Sequence, residues 1–174
     1  MDPEHNITYQ KEEVSRALDQ IKQICVNNEL TLAVAESVSC GFLQHLFGAV
    51  PKAGLFFEGG MTVYNCQQKA KQLEIPEERC NPCNGVSTEI AEYLARNISQ
   101  KFQCRLGISL TGYAAPIPEE GISQLFAYGS ITLDNLVLSC KIFMPKKGQP
   151  DAIRKYYADS IILECAKILK AHFQ

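Results

Sequence analysis

Hydrophobic positions along the chain fall into two rhythms that alternate. Val14, Leu18, Ile21 and Cys25 recur every three or four residues, as do Ile90, Leu94, Ile98 and Phe102, and then Ile153, Tyr157, Ile161, Cys165 and Ile168. Each set makes one apolar stripe along an α-helix. The flanking residues agree. Glu12 and Glu13 fall in the first turn of the first stripe, where the helix dipole favours carboxylates. Ser87 or Thr88 supplies an N-cap for the second, and Pro150 with Asp151 opens the third. Two shorter helices are predicted near 41–48 and 66–73.

Between the stripes lie short apolar runs: Leu30–Ala35, Leu55–Tyr64, Leu106–Leu110, Leu125–Leu133 and Leu136–Phe143. The first and third are apolar throughout, as expected of strands covered on both faces. Asp134 and Asn135 separate the last two and predict a two-residue hairpin turn. Strands alternate with helices, and a hairpin and a final helix follow. The pattern predicts an α/β fold: a three-layer α/β/α single domain with a mixed sheet, over residues 1–174. Residues 1–12, which precede the first full stripe, are expected to lack fixed structure.

Composition narrows the function classes. At 174 residues, one core can bury roughly 70% of the surface of the unfolded chain. The formal net charge of −2 lacks the basic excess of nucleic-acid binders, so nucleic acid is not expected as a partner. No apolar run approaches the roughly 18 residues that span a membrane. MDPEHNITYQ has no basic region followed by an apolar core, and the expected location is cytoplasmic. Eight cysteines are scattered along the chain, most within apolar stretches where they read as small buried hydrophobes. Cys80-Asn81-Pro82-Cys83 is the exception. A C-x-x-C pair suits redox or metal chemistry, but here it stands alone in a Pro/Asn loop.

In open α/β sheets, ligands bind beyond the carboxyl ends of the strands. Four polar clusters fall there: Glu36-Ser37-Val38-Ser39, Tyr64 with Lys69, Thr111-Gly112, and Lys146-Lys147-Gly148. Ser37 would stand in a tight strand-to-helix turn, where unpaired backbone N–H groups can hold an oxyanion. Gly41 would admit close backbone approach. The turn suits a nucleophile, and it equally suits Ser37 or Ser39 as a plain N-cap. None of the three histidines is well placed as a base: His5 and His172 lie near the chain ends, and His45 is a turn into a short helix. A buried lysine can serve instead, because desolvation disfavours the ammonium. Lys69 follows a strand and is the candidate. Lys146, Lys147 and Arg154 flank the last helix, where a phosphate or only solvent could meet them. No Walker A sequence, dinucleotide fingerprint or H-E-x-x-H is present, and no cofactor or metal is expected.

These clusters, taken in order, resemble the CinA carboxyl-terminal domain family. Its A-E-S-C-T-G-G pattern is matched by Ala35-Glu36-Ser37-Val38-Ser39-Cys40-Gly41. Its G-x-x-x-Y-x-x-x-x-K is matched by Gly60, Tyr64 and Lys69. Its A-V-S-x-E-x-A is matched by Gly85 to Ala91, and its T-G-I-A-G-P by Thr111 to Pro116. Enzymatic members of that family are nicotinamide mononucleotide (NMN) deamidases. The resemblance implies a metal-independent amidohydrolase that converts NMN to nicotinate mononucleotide and ammonia. In the family a serine attacks the carboxamide and a lysine acts as base. Carried over, these are Ser37 and Lys69, with Tyr64 and Glu36 in support. Ser39, Gly41, Thr111, Gly112, Ala114 and Arg154 are implied to contact the substrate. The family tends to self-associate, so a homo-oligomer is expected. Val38, Cys40, Ala115 and Pro150 depart from the family pattern. They leave open a noncatalytic relative that binds a nucleotide or a protein on the same fold.

Overall fold

A computed structural model describes residues 3–174, with side chains from Lys11 onward. Residues 3–12, expected from the sequence to lack fixed structure, are instead the start of the first helix, while residues 1–2 lie outside the described range. The first helix, α1, runs Pro3–Asn27 and is followed by strand β1, Leu32–Glu36. Then come α2 (Phe42–Gly48), β2 (Phe57–Thr62), α3 (Cys66–Leu73), a single helical turn α4 (Glu77–Cys80) and α5 (Thr88–Lys101). The chain closes with β3 (Leu106–Gly112), β4 (Ala127–Leu133), β5 (Leu136–Phe143) and α6 (Pro150–Phe173). The sheet order is β2-β1-β3-β4-β5. The first three strands are parallel, and the last two pair antiparallel to their neighbours.

The alternation of side chains along β1 divides the core. Leu32 and Val34 join the cluster formed with α1, α2 and α6, while Ala33 and Ala35 face the cluster of α3, α4 and α5. All five β1 residues are buried, which agrees with a strand covered on both faces. The predicted three-layer arrangement is therefore the observed one. Ser87 is the N-cap of α5, accepting a hydrogen bond from the Ile90 N–H at 3.1 Å. At the hairpin turn, Asp134 and Asn135 both adopt positive φ, 50° and 65°, as the tight turn requires.

Two small residues on β3 bring α5 down onto the sheet. The Ser109 hydroxyl donates to the Ala91 carbonyl at 2.6 Å. A Cβ on Gly107 would stand 1.9 Å from the Ala95 carbonyl oxygen, inside the helix backbone. The Gly107→Ala protein is therefore expected to lose about 2 kcal/mol or more of stability through overpacking, measured by urea unfolding.

Candidate active site

The chain leaves β1 through a turn built on one carboxylate. Glu36 has no exposed surface. Its Oε2 accepts from the N–H groups of Gly41 at 2.9 Å and Leu43 at 3.1 Å. Its Oε1 accepts from the Gln44 backbone N–H at 2.9 Å and from Gln44 Nε2 at 3.1 Å. Glu36 thus satisfies the first N–H groups of α2, the task an N-cap residue ordinarily performs. The negative charge also suits the positive end of the helix. The chain is bent sharply enough that Cys40 and Gly41 take positive φ, 49° and 99°. The Cys40 thiol points outward and donates to the Ser37 carbonyl at 3.4 Å, so its side chain does not enter the site.

Ser37 lies between these constraints. Its N–H donates to the Leu110 carbonyl on β3 at 2.9 Å, which fixes the residue just beyond the sheet. Lys69, on α3, reaches it from below. The lysine is 1% exposed, and its Nζ lies 3.0 Å from Ser37 Oγ. Nζ also donates to the carbonyls of Val63 at 3.1 Å and Tyr64 at 3.3 Å. Burial lowers the Lys69 pKa from its ordinary 10.5, with the Cys80, Cys66 and Cys83 thiols acting in opposition. A neutral amine has two N–H bonds for the two carbonyls and a lone pair left for the serine hydroxyl. The arrangement can therefore remove the Ser37 proton.

A cavity of about 320 Å³ opens over Ser37. Val38, Tyr64, Gly112, Ala114 and Arg154 help to line it. The Arg154 guanidinium pairs with Asp151 through Nη1 at 3.1 Å, while its buried Nε has no protein partner. On the opposite wall, Asn84 Nδ2 donates to the Glu120 carboxylate at 2.8 Å. Asn84 and Glu120 end single 3₁₀ turns and Tyr113 lies in a loop, so none carries a periodic signal and the sequence did not name them as candidates.

The sequence candidates separate into three groups. Ser37, Tyr64, Gly112, Ala114 and Arg154 line the cavity, and Lys69 meets it through Ser37. Tyr64 is 65% exposed at the rim, and it reaches Lys69 through its carbonyl. Glu36, Gly41, Ser39 and Thr111 do not line the cavity. Glu36 and Gly41 hold the turn. Ser39 is fully buried, with its hydroxyl unpartnered. Thr111 turns away and donates to the Gly85 carbonyl at 2.6 Å. Gly85 in turn covers the amine, since a Cβ there would stand 3.2 Å from Lys69 Nζ. Among the described residues, no group of three or more His, Cys, Asp or Glu side chains is placed to hold a metal ion.

The sequence profile of the CinA C-terminal domain matches residues 14–125, well over half of the chain. The chain belongs to the CinA C-terminal domain family. A CinA-like protein of Gemmatimonas aurantiaca is 29% identical over 124 residues, which is 70% of this chain and 28% of that protein. The chain thus aligns with under a third of that relative's length. The competence damage-inducible protein A of Klebsiella pneumoniae superposes with a TM-score of 0.85 at 17% identity, covering 92% of this chain and 99% of that one. A competence or damage-inducible protein of Enterobacter asburiae gives 0.83 at 18%, covering 90% and 98%. At those identities the two structures establish the fold. Among the described residues, no helix is long and apolar enough to cross a membrane.

Two outcomes are expected. Glu36→Ala leaves three buried or part-buried N–H groups of the turn unpaired and costs at least about 2 kcal/mol in urea unfolding. Lys69 binds its proton less tightly folded than unfolded, so its contribution to stability is full above the unfolded pKa. That contribution is lost as pH falls through the lowered folded value. Unfolding free energy of the wild type should therefore rise with pH below 10.5, and Lys69→Met should flatten that part of the curve.

Proposed function

We propose that this protein is a metal-independent amidohydrolase of the NMN deamidase type. The observation that carries the reading is the 3.0 Å contact between Ser37 Oγ and the buried amine of Lys69. In the proposed reaction Lys69 accepts the Ser37 proton as the oxygen attacks the carboxamide carbon. The N–H group of Val38, which lines the cavity and has no partner among the described residues, is available to the oxyanion. Lys69 returns the proton to the departing nitrogen, and ammonia leaves. Water, deprotonated by the same amine, then releases the carboxylate from Ser37.

The cavity supports a substrate of mononucleotide size. Arg154 supplies the positive charge that a phosphate needs, and Gly112 and Ala114 offer a smooth wall for a flat ring. The reacting pair sits at the carboxyl end of β1, where ligands bind in sheets of this kind.

The test is ammonia release from NMN by the purified protein. Ser37→Ala should abolish turnover, and Lys69→Met should lower it by about 10²- to 10⁴-fold. Equal background release by wild type and Ser37→Ala ends the amidase reading. Calorimetric binding of NMN without turnover would leave a noncatalytic nucleotide-binding relative in its place. Because the reaction needs neutral Lys69 and burial lowers its pKa, kcat/KM should climb with pH through a single ionisation below 10.5. Lys69→Arg should be inactive across the range, since a guanidinium stays charged.

A further inference from the structure

Three thiols surround the amine end of Lys69, and the proposed reaction has no use for them. Cys66 is the first residue of α3, one turn before Lys69. Cys80 ends α4, and Cys83 closes the 3₁₀ turn that follows. Cys80 has no exposed surface and packs with Val63, Leu73 and Ile75, while Cys66 and Cys83 lie half-buried against the same cluster. The point where a Cβ would stand on Gly85 is 3.2 Å from Lys69 Nζ and 3.3 Å from Cys80 Sγ. Thiol and amine therefore meet across the bare face of a glycine. The Cys83 thiol is turned back on its own segment, toward the carbonyls of Arg79 and Cys80 at 3.4 Å each. Cys66 has no such tie among the described residues. Burial, and next the neighbouring Cys66 thiol, push the Cys80 thiol up to about 12. Cys80 alone is thus a poor nucleophile, while half-exposed Cys66 is open to a small oxidant.

We propose that Cys66 and Cys80 form a disulfide when the protein meets hydrogen peroxide, and that this bridge disables Lys69. Its effect on rate rests on the amidase reading; the bond itself does not. In the first step the Cys66 thiolate attacks a peroxide oxygen. The S–O bond forms, the O–O bond breaks, and the second oxygen leaves as water after protonation. In the second step Cys80 sulfur attacks the sulfenic sulfur, the S–S bond forms, and the S–O bond breaks with loss of a second water. Neighbouring Lys69 takes up the Cys80 proton and passes it to the leaving hydroxide. Two thiols lose two electrons, and one peroxide gains them. A disulfide holds its sulfurs about 2.05 Å apart, far inside any nonbonded contact. Closing that gap draws the first turn of α3 toward α4. Lys69, one turn further on, moves with it, and the contact with Ser37 is stretched. A shift of about 1 Å in a reacting pair is worth up to about 10²-fold in rate.

The experiment treats the full chain with hydrogen peroxide, then blocks free thiols and maps peptides by mass spectrometry. A Cys66–Cys80 peptide lacking two hydrogens is expected, together with at least about tenfold loss of ammonia release from NMN. A reducing thiol should reverse both. Cys66→Ser should keep basal activity and resist peroxide, and Cys83→Ser should still form the bridge. A Cys80–Cys83 bridge, or sulfinic acid at Cys66 without a bridge, overturns the modification site. A mapped Cys66–Cys80 bridge with undiminished activity overturns the switch. If the reduced protein releases no ammonia, the amidase reading fails, and the peptide map still decides the bond.

Discussion

A carboxylate sealed from water fixes the path of this chain. Glu36 ends β1 and accepts from three backbone N–H groups and one side-chain amide of the segment that follows. A buried carboxylate without such partners would cost several kcal/mol, and the N–H groups without it would be orphans. Each cost is removed only if the chain wraps around the other group. That mutual need bends residues 37–41 into a turn that a strand-to-helix link of ordinary shape would not adopt. Ser37 is thereby presented beyond the sheet edge, with its own N–H bound to β3.

The second constraint is the hydrogen bonding of Lys69. Its aliphatic stem lies in the smaller of the two core clusters, the layer that α5 closes over the sheet. Ser109 and Gly107 on β3 let α5 approach closely enough to keep that layer dry. Thr111, on the same strand, holds Gly85 over the amine. One strand thus supplies the helix contact, the cover over the base, and the carbonyl that anchors the serine. Its alternating small polar residues serve the site without touching a ligand.

Much of the fold was legible because burial imposes period. The stripes of α1, α5 and α6, the uniformly buried β1 and the Asp134-Asn135 turn follow from sequence spacing alone. The second strand was read as starting at Leu55, but Ala53–Leu55 forms a 3₁₀ turn and the strand begins at Phe57. An apolar run cannot distinguish these: Leu55 is apolar yet exposed, so its residue type does not report the turn it occupies. The short helix α4 was missed because one turn after a proline has no period to detect. In the candidate site, residue type and position after a strand raised Ser37 and Lys69 as candidates, and the family resemblance selected them. The roles of Glu36 and Thr111 were not legible, because nothing in a sequence tells a carboxylate aimed at a ligand from one aimed at its own backbone. Gly85 stands where the family pattern has alanine, and only the structure reveals that its missing Cβ is where Cys80 and Lys69 meet.

The sealing of Lys69 also bears on where a proton could travel. With 1% of its surface exposed, the amine meets bulk solvent through the serine oxygen rather than around it. A base so enclosed works as a single-berth shuttle: in the proposed cycle, the hydrogen it lifts from the attacking oxygen goes to the departing nitrogen before solvent can exchange it.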